Sequence, residues 1–452
     1  MTDDTLRTPP PQWSGVRHLP GLPGRIPGAR PRAVVLSTLG SLGDLYPVLS
    51  IARALEDRGI EARLALSPED CDVARRWGLL ATPVGPSQAE VCEALGMSRD
   101  AVAASVLEDA VPMVRRALLP LLPDMARAVA ALCDDGAGCV AGTSFALAAP
   151  LAAEMRGLPY APLVLQPFMT LSAADPPVGG PFRLALRPGR PHALRWNRAL
   201  MAAGRATLRL RLGRGLRRAR RALDLPARLP GTPLLEHGAR VPLRLGLWSP
   251  RFSPLPDDAP PGLMVAGFPP APAGALDPAL RSWIAAGPPP LVVTLGSIAH
   301  ALGRADFWEQ AAAMARRLGL RAVLLHGDAE APAAPDLMAV RYAAHAPLFP
   351  LAAAVVHHGG IGTTAEALRA GRPQLVLPVG GDQMDNAARL VRIGVAATMP
   401  ARDFDAEAGA ERLGALLERF DYNAASAQGR AITEEDGAAF AARMMHHVVL
   451  AG

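Results

Sequence analysis

Short apolar runs recur along the chain, each closed by a glycine-bearing turn and followed by a stretch with helical spacing. In the first half the runs cover 33–37, 62–66, 139–144, 160–166 and 241–248; in the second they cover 291–294, 322–326, 352–357 and 374–378. Their length and Val/Leu/Ala content are those of buried parallel strands. Helical patterns lie between them at 48–58, 145–155, 306–318 and 365–370, and the first, second and last of these stop at Gly59, Gly157 and Gly371. Residues 89–132 and the segment from about Ala406 also read as helices. Strand–turn–helix–strand repetition is the grammar of a parallel sheet, so the fold class expected is α/β. The grammar runs twice, with Gly40-Ser41 in the first half and Gly296-Ser297 at the matching turn of the second. Two Rossmann-like domains facing across a cleft follow. The boundary falls near Phe268-Pro269-Pro270, giving a first domain of 32–268 and a second of 269–452 that ends in helices. Residues 1–31 are rich in Pro and Gly, lack periodicity, and read as a disordered tail.

Composition narrows the chemistry. At 452 residues, half hydrophobic and 19% charged, the chain is long enough for two cores. It contains no lysine, so a Walker-type Gly-Lys loop and a lysine Schiff base are both excluded. The four cysteines, Cys71, Cys92, Cys133 and Cys139, form no CxxC pair and read as reduced packing residues. No apolar run spans a bilayer and no signal-peptide core opens the chain, which leads to the expectation of a soluble, cytoplasmic protein. The net charge of +6 is no nucleic-acid signature. One segment is strongly basic: 183–228 carries fourteen arginines with Leu and Ala at helical spacing. It reads as a solvated helical face, or alternatively as a contact for a membrane surface or an anionic partner.

The stretch 352–386, AAAVVHHGGIGTTAEALRAGRPQLVLPVGGDQMDN, concentrates the candidate chemistry. An apolar run turns sharply through two histidines and three glycines into a helix that begins at two threonines. Such a helix start offers free N–H groups and a partial positive charge, and so suits a phosphate. The first-half turn, Thr38 to Pro47, occupies the equivalent place at the carboxyl end of the first strand, where open α/β sheets bind ligands. Its spacing is not GxGxxG.

These residues together resemble the GT-B-fold glycosyltransferases that use nucleoside-diphosphate sugars, in the branch of antibiotic, macrolide, sterol and rhamnolipid transferases. The resemblance runs from Arg32 onward. It rests on Gly40-Ser41-Leu42-Gly43-Asp44 with Pro47, on Gln166-Pro167, on Leu295-Gly296-Ser297, and on His357 to Asn386 with its Asp382-Gln383. It implies that His358 binds the donor diphosphate, helped by Gly360, Gly362, Thr363 and Thr364, with Gly43 and Ser297 on the facing turns. Glu366 would hold the ribose, and Asp382 and Gln383 the sugar hydroxyls. Asp44 would be the base that takes the acceptor proton, and His358 with the helix end would stabilise the leaving group. The resemblance implies inversion, no metal, and no cofactor beyond the UDP- or dTDP-sugar co-substrate.

Other readings stand beside these. Gly40 to Asp44 also suits a tight turn with a capping aspartate, His357 suits a structural role, Glu366 a surface helix position, and Asp382 a helix cap. His326 and His345 lie near strand ends within reach of a base. The stretch between Tyr342 and His357 is shorter than the family's usual base-binding segment, which makes Ala346-Pro347-Leu348 the candidate base contact. The helical residues 102–122 suit an acceptor pocket or core packing. At the level of function, the alternatives are a sugar-nucleotide epimerase of the same fold and a catalytically silent binding partner.

Overall fold

The computed structural model describes residues 33–187, 189–235, 240–271, 274–296 and 306–451. The expected tail and Ser297 lie outside the described residues. Two parallel sheets carry the chain. The first has strands β1 (Ala33–Ser37), β2 (Glu61–Leu66), β3 (Ala81–Pro83), β4 (Ala137–Gly142), β5 (Tyr160–Val164), β6 (Arg244–Gly246) and β7 (Leu263–Val265), in the order β3-β2-β1-β4-β5-β6-β7. The second has β8 (Leu291–Thr294), β9 (Ala322–Leu325), β10 (Leu337–Val340), β11 (Ala354–His357), β12 (Gln374–Val376) and β13 (Ala396–Thr398), in the order β10-β9-β8-β11-β12-β13.

Both sheets are covered on both faces, which is why their central strands are continuous apolar runs. Successive residues of β1 enter different cores. Val35 packs with the helices Leu122–Ala131 and Ala148–Met155 on one side, and Val34 and Leu36 with the helix Leu42–Glu56 on the other. In the second sheet Val293 and Val292 are divided in the same way. The last helix, Gly437–Ala451, returns to the first sheet, where Ala441, Ala442 and Met445 join the core beneath Leu45 and Leu49.

The first helix starts at Leu42, earlier than the expected 48, although Pro47 lies inside it. Proline removes one helical N–H. A capping box at Ser41 and Asp44 secures the turn before it, so the helix accommodates the loss. This places Asp44 in the first turn of a helix and no longer in a loop.

Candidate active site

In each sheet the strand order reverses direction beside its first strand, between β1 and β4 and between β8 and β11. Crevices outside the carboxyl ends of strands at such switch points are where these sheets bind ligands. The site is built from the turns that leave β1, β8 and β11.

The turn after β11 depends on close approach at two glycines. Gly296, at φ +60, follows β8, and a Cβ there would come within 2.8 Å of the His358 ring. A Cβ on Gly360 would collide with His358 Nε2. The imidazole thus occupies the space that side chains at 296 and 360 would take. His358 is buried, its Nδ1 has no partner, and burial pushes its pKa down to about 3, with His357 and His345 adding to the shift. It is therefore a neutral ring facing the start of the helix Ile361–Ala370. His357 is structural: its Nε2 donates to Gln374 Oε1 at 3.0 Å, and its Nδ1 accepts from the Gly359 N–H at 3.2 Å.

No side chain caps the helix Ile361–Ala370, so the N–H groups at its start have no intrahelical partners. A Cβ on Gly362 would meet nothing within 4 Å, so the space beside this first-turn residue is open. Thr363 and Thr364 are buried at its start, and Thr364 Oγ1 has no partner. Glu366 is buried one turn in and is no surface residue. It pairs with Arg369, whose Nη2 also donates to the carbonyls of Phe268 and Pro269 at 2.9 Å. Burial raises the Glu366 pKa, and Arg369 opposes that.

Asp382 stands at the N-cap position of the helix Gln383–Arg392 but makes no capping bond. Asn386 Nδ2 donates to Asp382 Oδ2 and to the Gly359 carbonyl, both at 2.9 Å, and so ties the two turns together. The carboxyl of Asp382 is pushed up to about 7, chiefly by burial and then by the charge of Asp44. Gln383 is buried, and its Oε1 accepts from the N–H groups of Val379 at 2.9 Å and Gly380 at 3.4 Å. Its carbonyl oxygen therefore holds the loop, which leaves the amide nitrogen as the end for a ligand.

Asp44 faces this group from the other sheet. Its Oδ2 accepts from the Ser41 N–H at 2.8 Å and from Ser41 Oγ at 3.0 Å. The Gly43 N–H donates to Ser41 Oγ at 3.2 Å, so Gly43 serves the cap. Crowding by protein pushes the Asp44 pKa up to about 6 against those bonds, and Asp70 adds to the rise. The hydroxyl of Tyr46, two residues further along, is pushed up to about 12, chiefly by burial and then by Tyr342.

Of the other histidines, His326 donates from Nδ1 to the Ala329 carbonyl at 2.6 Å, which closes its own turn. His345 stacks on Phe349 at 4.5 Å, close enough to affect both His357 and His358. Asn386 was not among the expected site residues. Its signal was its i, i+4 spacing from Asp382. Leu107, whose carbonyl lies against Gly380, falls in the stretch 102–122 read as acceptor pocket or core, and its contact with the second half had no signal in the sequence.

The family model described as "Erythromycin biosynthesis protein CIII-like, C-terminal domain" matches residues 326–438, the half that carries the His358 and Asp382 turns. Glycosyltransferase GtfE of Amycolatopsis orientalis is 30% identical over 447 residues, covering 92% of this chain and 97% of that protein. Among solved structures, the glycotransferase of kitacinnamycin superposes with a TM-score of 0.69 at 20% identity, over 93% of this chain and all of that one. The glycosyltransferase VinC in complex with DTDP does so with a TM-score of 0.64 at 21% identity, over the same shares. With near-complete coverage of a relative at this identity, the chain belongs to the GT-B-fold, nucleotide-sugar-dependent glycosyltransferase family that includes the antibiotic transferases, and it is a glycosyltransferase.

Proposed function

We propose that the enzyme moves a sugar from a UDP- or dTDP-sugar to a hydroxyl of a small apolar acceptor, such as a polyketide, a sterol-like molecule or a lipid, with inversion at the anomeric carbon. The observation that supports this best is a meeting of groups at the ends of the two sheets. Two carboxylates with raised pKa values face an uncapped helix start beside the unpartnered atoms His358 Nδ1, Thr364 Oγ1 and Asn386 Oδ1. Buried polar atoms without partners are costly, and a diphosphate and a sugar supply what these lack. In this reading residues 32–268 hold the acceptor and 269–452 the donor.

Asp44 takes the acceptor proton as the oxygen attacks the anomeric carbon. The bond to the diphosphate oxygen breaks on the opposite face, and its electron pair leaves with the phosphate. His358, the N–H groups of Gly360 and Gly362, Thr363 and Thr364 receive that charge, with the helix dipole behind them. Glu366 accepts from the ribose hydroxyls while keeping Arg369, since a carboxylate has several acceptor sites. Asp382 and the Gln383 amide nitrogen hold the sugar. Ser297 would join the phosphate contacts from the turn after β8.

The test is turnover with a panel of UDP- and dTDP-sugars and hydroxylated apolar acceptors, read as released nucleoside diphosphate and as product configuration. Asp44→Asn preserves the acceptor of the capping box and removes the base, so kcat should fall by about 10²–10⁴ while donor binding stays. A product of retained configuration, full turnover by Asp44→Asn, or epimerised donor without any acceptor would each reject this mechanism.

A further inference from the structure

Helix Gln383–Arg392, which carries the sugar-side residues at its start, is held to the first half of the chain by a buried ionic bridge. The Arg389 side chain is 3% exposed. Its Nε donates to Asp385 Oδ2 at 2.7 Å on its own helix, and its Nη1 donates to Ser253 Oγ at 2.7 Å and to Asp175. Arg392 Nη1 reaches the other oxygen of Asp175 at 2.7 Å. Asp385, 1% exposed, in turn accepts from the Val178 N–H at 3.0 Å. Two carboxylates and two guanidiniums thus balance one another, with partners from segments more than 200 residues apart.

Asp175 and Val178 belong to segment 172–180, which follows β5 and is itself anchored in the first half. Asp258 accepts from Ser172 Oγ and from the Ala173 N–H, the latter at 2.7 Å. Asn197 donates to the Ala173 carbonyl at 3.1 Å. At the far end of the segment, Gly179 lies so close to Met384 that a Cβ there would come within 2.6 Å of the methionine Cβ. On the other flank the Leu107 carbonyl would be 2.8 Å from a Cβ on Gly380. The turn that presents Asp382 is therefore gripped on both sides by the first half.

We propose that the Asp175–Arg389–Asp385 bridge is the positioning device of the donor sugar. It fixes the first turn of helix Gln383–Arg392, and with it the direction of the Asp382 carboxylate, against the half of the molecule that carries Asp44. The helix Ile361–Ala370, which faces the diphosphate, is not part of the bridge. The bridge therefore acts chiefly on the sugar end of the donor, and reaches the nucleotide end only through the contact of Asn386 with the Gly359 carbonyl. This inference rests on the proposed contact of Asp382 with the sugar.

The experiment compares Asp175→Asn, Asp175→Glu, Arg392→Met and Asp382→Asn in the full chain. For each, the KM and kcat with the nucleotide sugar are measured beside the Kd of the free nucleoside diphosphate by calorimetry. Asp175→Asn should raise the donor KM or lower kcat by about tenfold to a hundredfold, the scale of a small misplacement of reacting groups. The Kd of the free diphosphate should stay within about twofold of the unmodified enzyme, because its contacts lie on the other helix. Asp175→Glu, which keeps the charge, should recover most of the loss. Arg392, half exposed, gives a milder variant with the same signature should Asp175→Asn not fold. Equal losses for diphosphate and nucleotide sugar would mean a merely structural role and overturn the proposal. Unchanged kinetics in the Asp175 and Arg392 variants beside a crippled Asp382→Asn would overturn the bridge alone. Unchanged kinetics in all of them would overturn the sugar contact as well.

Discussion

Asp382 carries the charge of Asp44 in its own titration: the first-half carboxylate helps to hold the second-half carboxyl near 7, after burial has done most of the lifting. Asp44 itself lies near 6. The two carboxyls therefore titrate as a coupled pair between about 6 and 7. A base must be ionised to accept a proton, so kcat/KM should fall as pH drops through about 6. The sign for stability is the opposite of that for most carboxylates. Groups whose folded pKa is raised stabilise the protein fully below the unfolded value of about 4, and this stability is lost as pH rises through 6 and 7. Asp44→Asn removes the repulsion from Asp382. Its unfolding free energy should fall less steeply than that of the unmodified protein between pH 5 and 8, by on the order of 1 kcal/mol after allowing for the solvent in the open cleft. Parallel curves for the two proteins in chemical denaturation across that range would show that Asp44 is not lifted and does not lift Asp382.

Two neighbouring glycines separate folding from ligand binding. At Gly360 a methyl group would strike the His358 ring, whereas at Gly362 it would project into open space. Gly360→Ala should therefore cost stability, because either the ring or the turn has to move. Gly362→Ala should gain up to about 1 kcal/mol, the usual helical preference of alanine over glycine. Both should weaken UDP or dTDP binding, the first by displacing His358 and the second by filling the space beside the first turn. Thermal unfolding with and without the nucleotide reads both effects in one measurement. Equal nucleotide affinity in Gly362→Ala and the unmodified enzyme would remove the diphosphate from this helix start.

Which parts of this were readable beforehand has a physical pattern. Every run expected to be a strand is one, and the four strands not anticipated, β3, β7, β10 and β13, are the two edges of each sheet. Each is only three or four residues long and partly exposed, so none leaves an apolar run to read. The helix start at Leu42 was hidden by Pro47, which reads locally as a breaker and is overridden by the cap at Ser41. Contacts within one turn, such as Glu366 with Arg369 or Asp382 with Asn386, follow helical spacing and can be inferred from it. The bridge between Asp175 and Arg389 spans 214 residues and exists only once both sheets have folded. Leu107 against Gly380 is a packing contact of the same kind.

The basic segment is in part structural. Its helix, Ala193–Ala222, contains ten arginines and no acidic residue. Arg220 is buried against Glu154 at 2.7 Å, and Arg211 pairs with Asp109 at 2.5 Å, so the inner face is tied to the first half. Leu212 and Leu216 point inward as expected, but Leu210 is 81% exposed, among the outward arginines Arg209, Arg214 and Arg218. None of these three has an ion-pair partner among the described residues. A helix of this kind attracts anionic surfaces with about 1 kcal/mol for each arginine that approaches the headgroups. Flotation with vesicles containing phosphatidylglycerol should therefore carry part of the protein upward at low salt, and vesicles of phosphatidylcholine alone should not. Raising the salt to about 0.5 M should release it, as screening requires. The triple variant Arg209→Gln, Arg214→Gln, Arg218→Gln should lose roughly 3 kcal/mol of that attraction, more than a hundredfold in partitioning. Undiminished flotation of the triple variant would place the contact elsewhere, and no flotation of the unmodified protein would leave this helix as a solvated face.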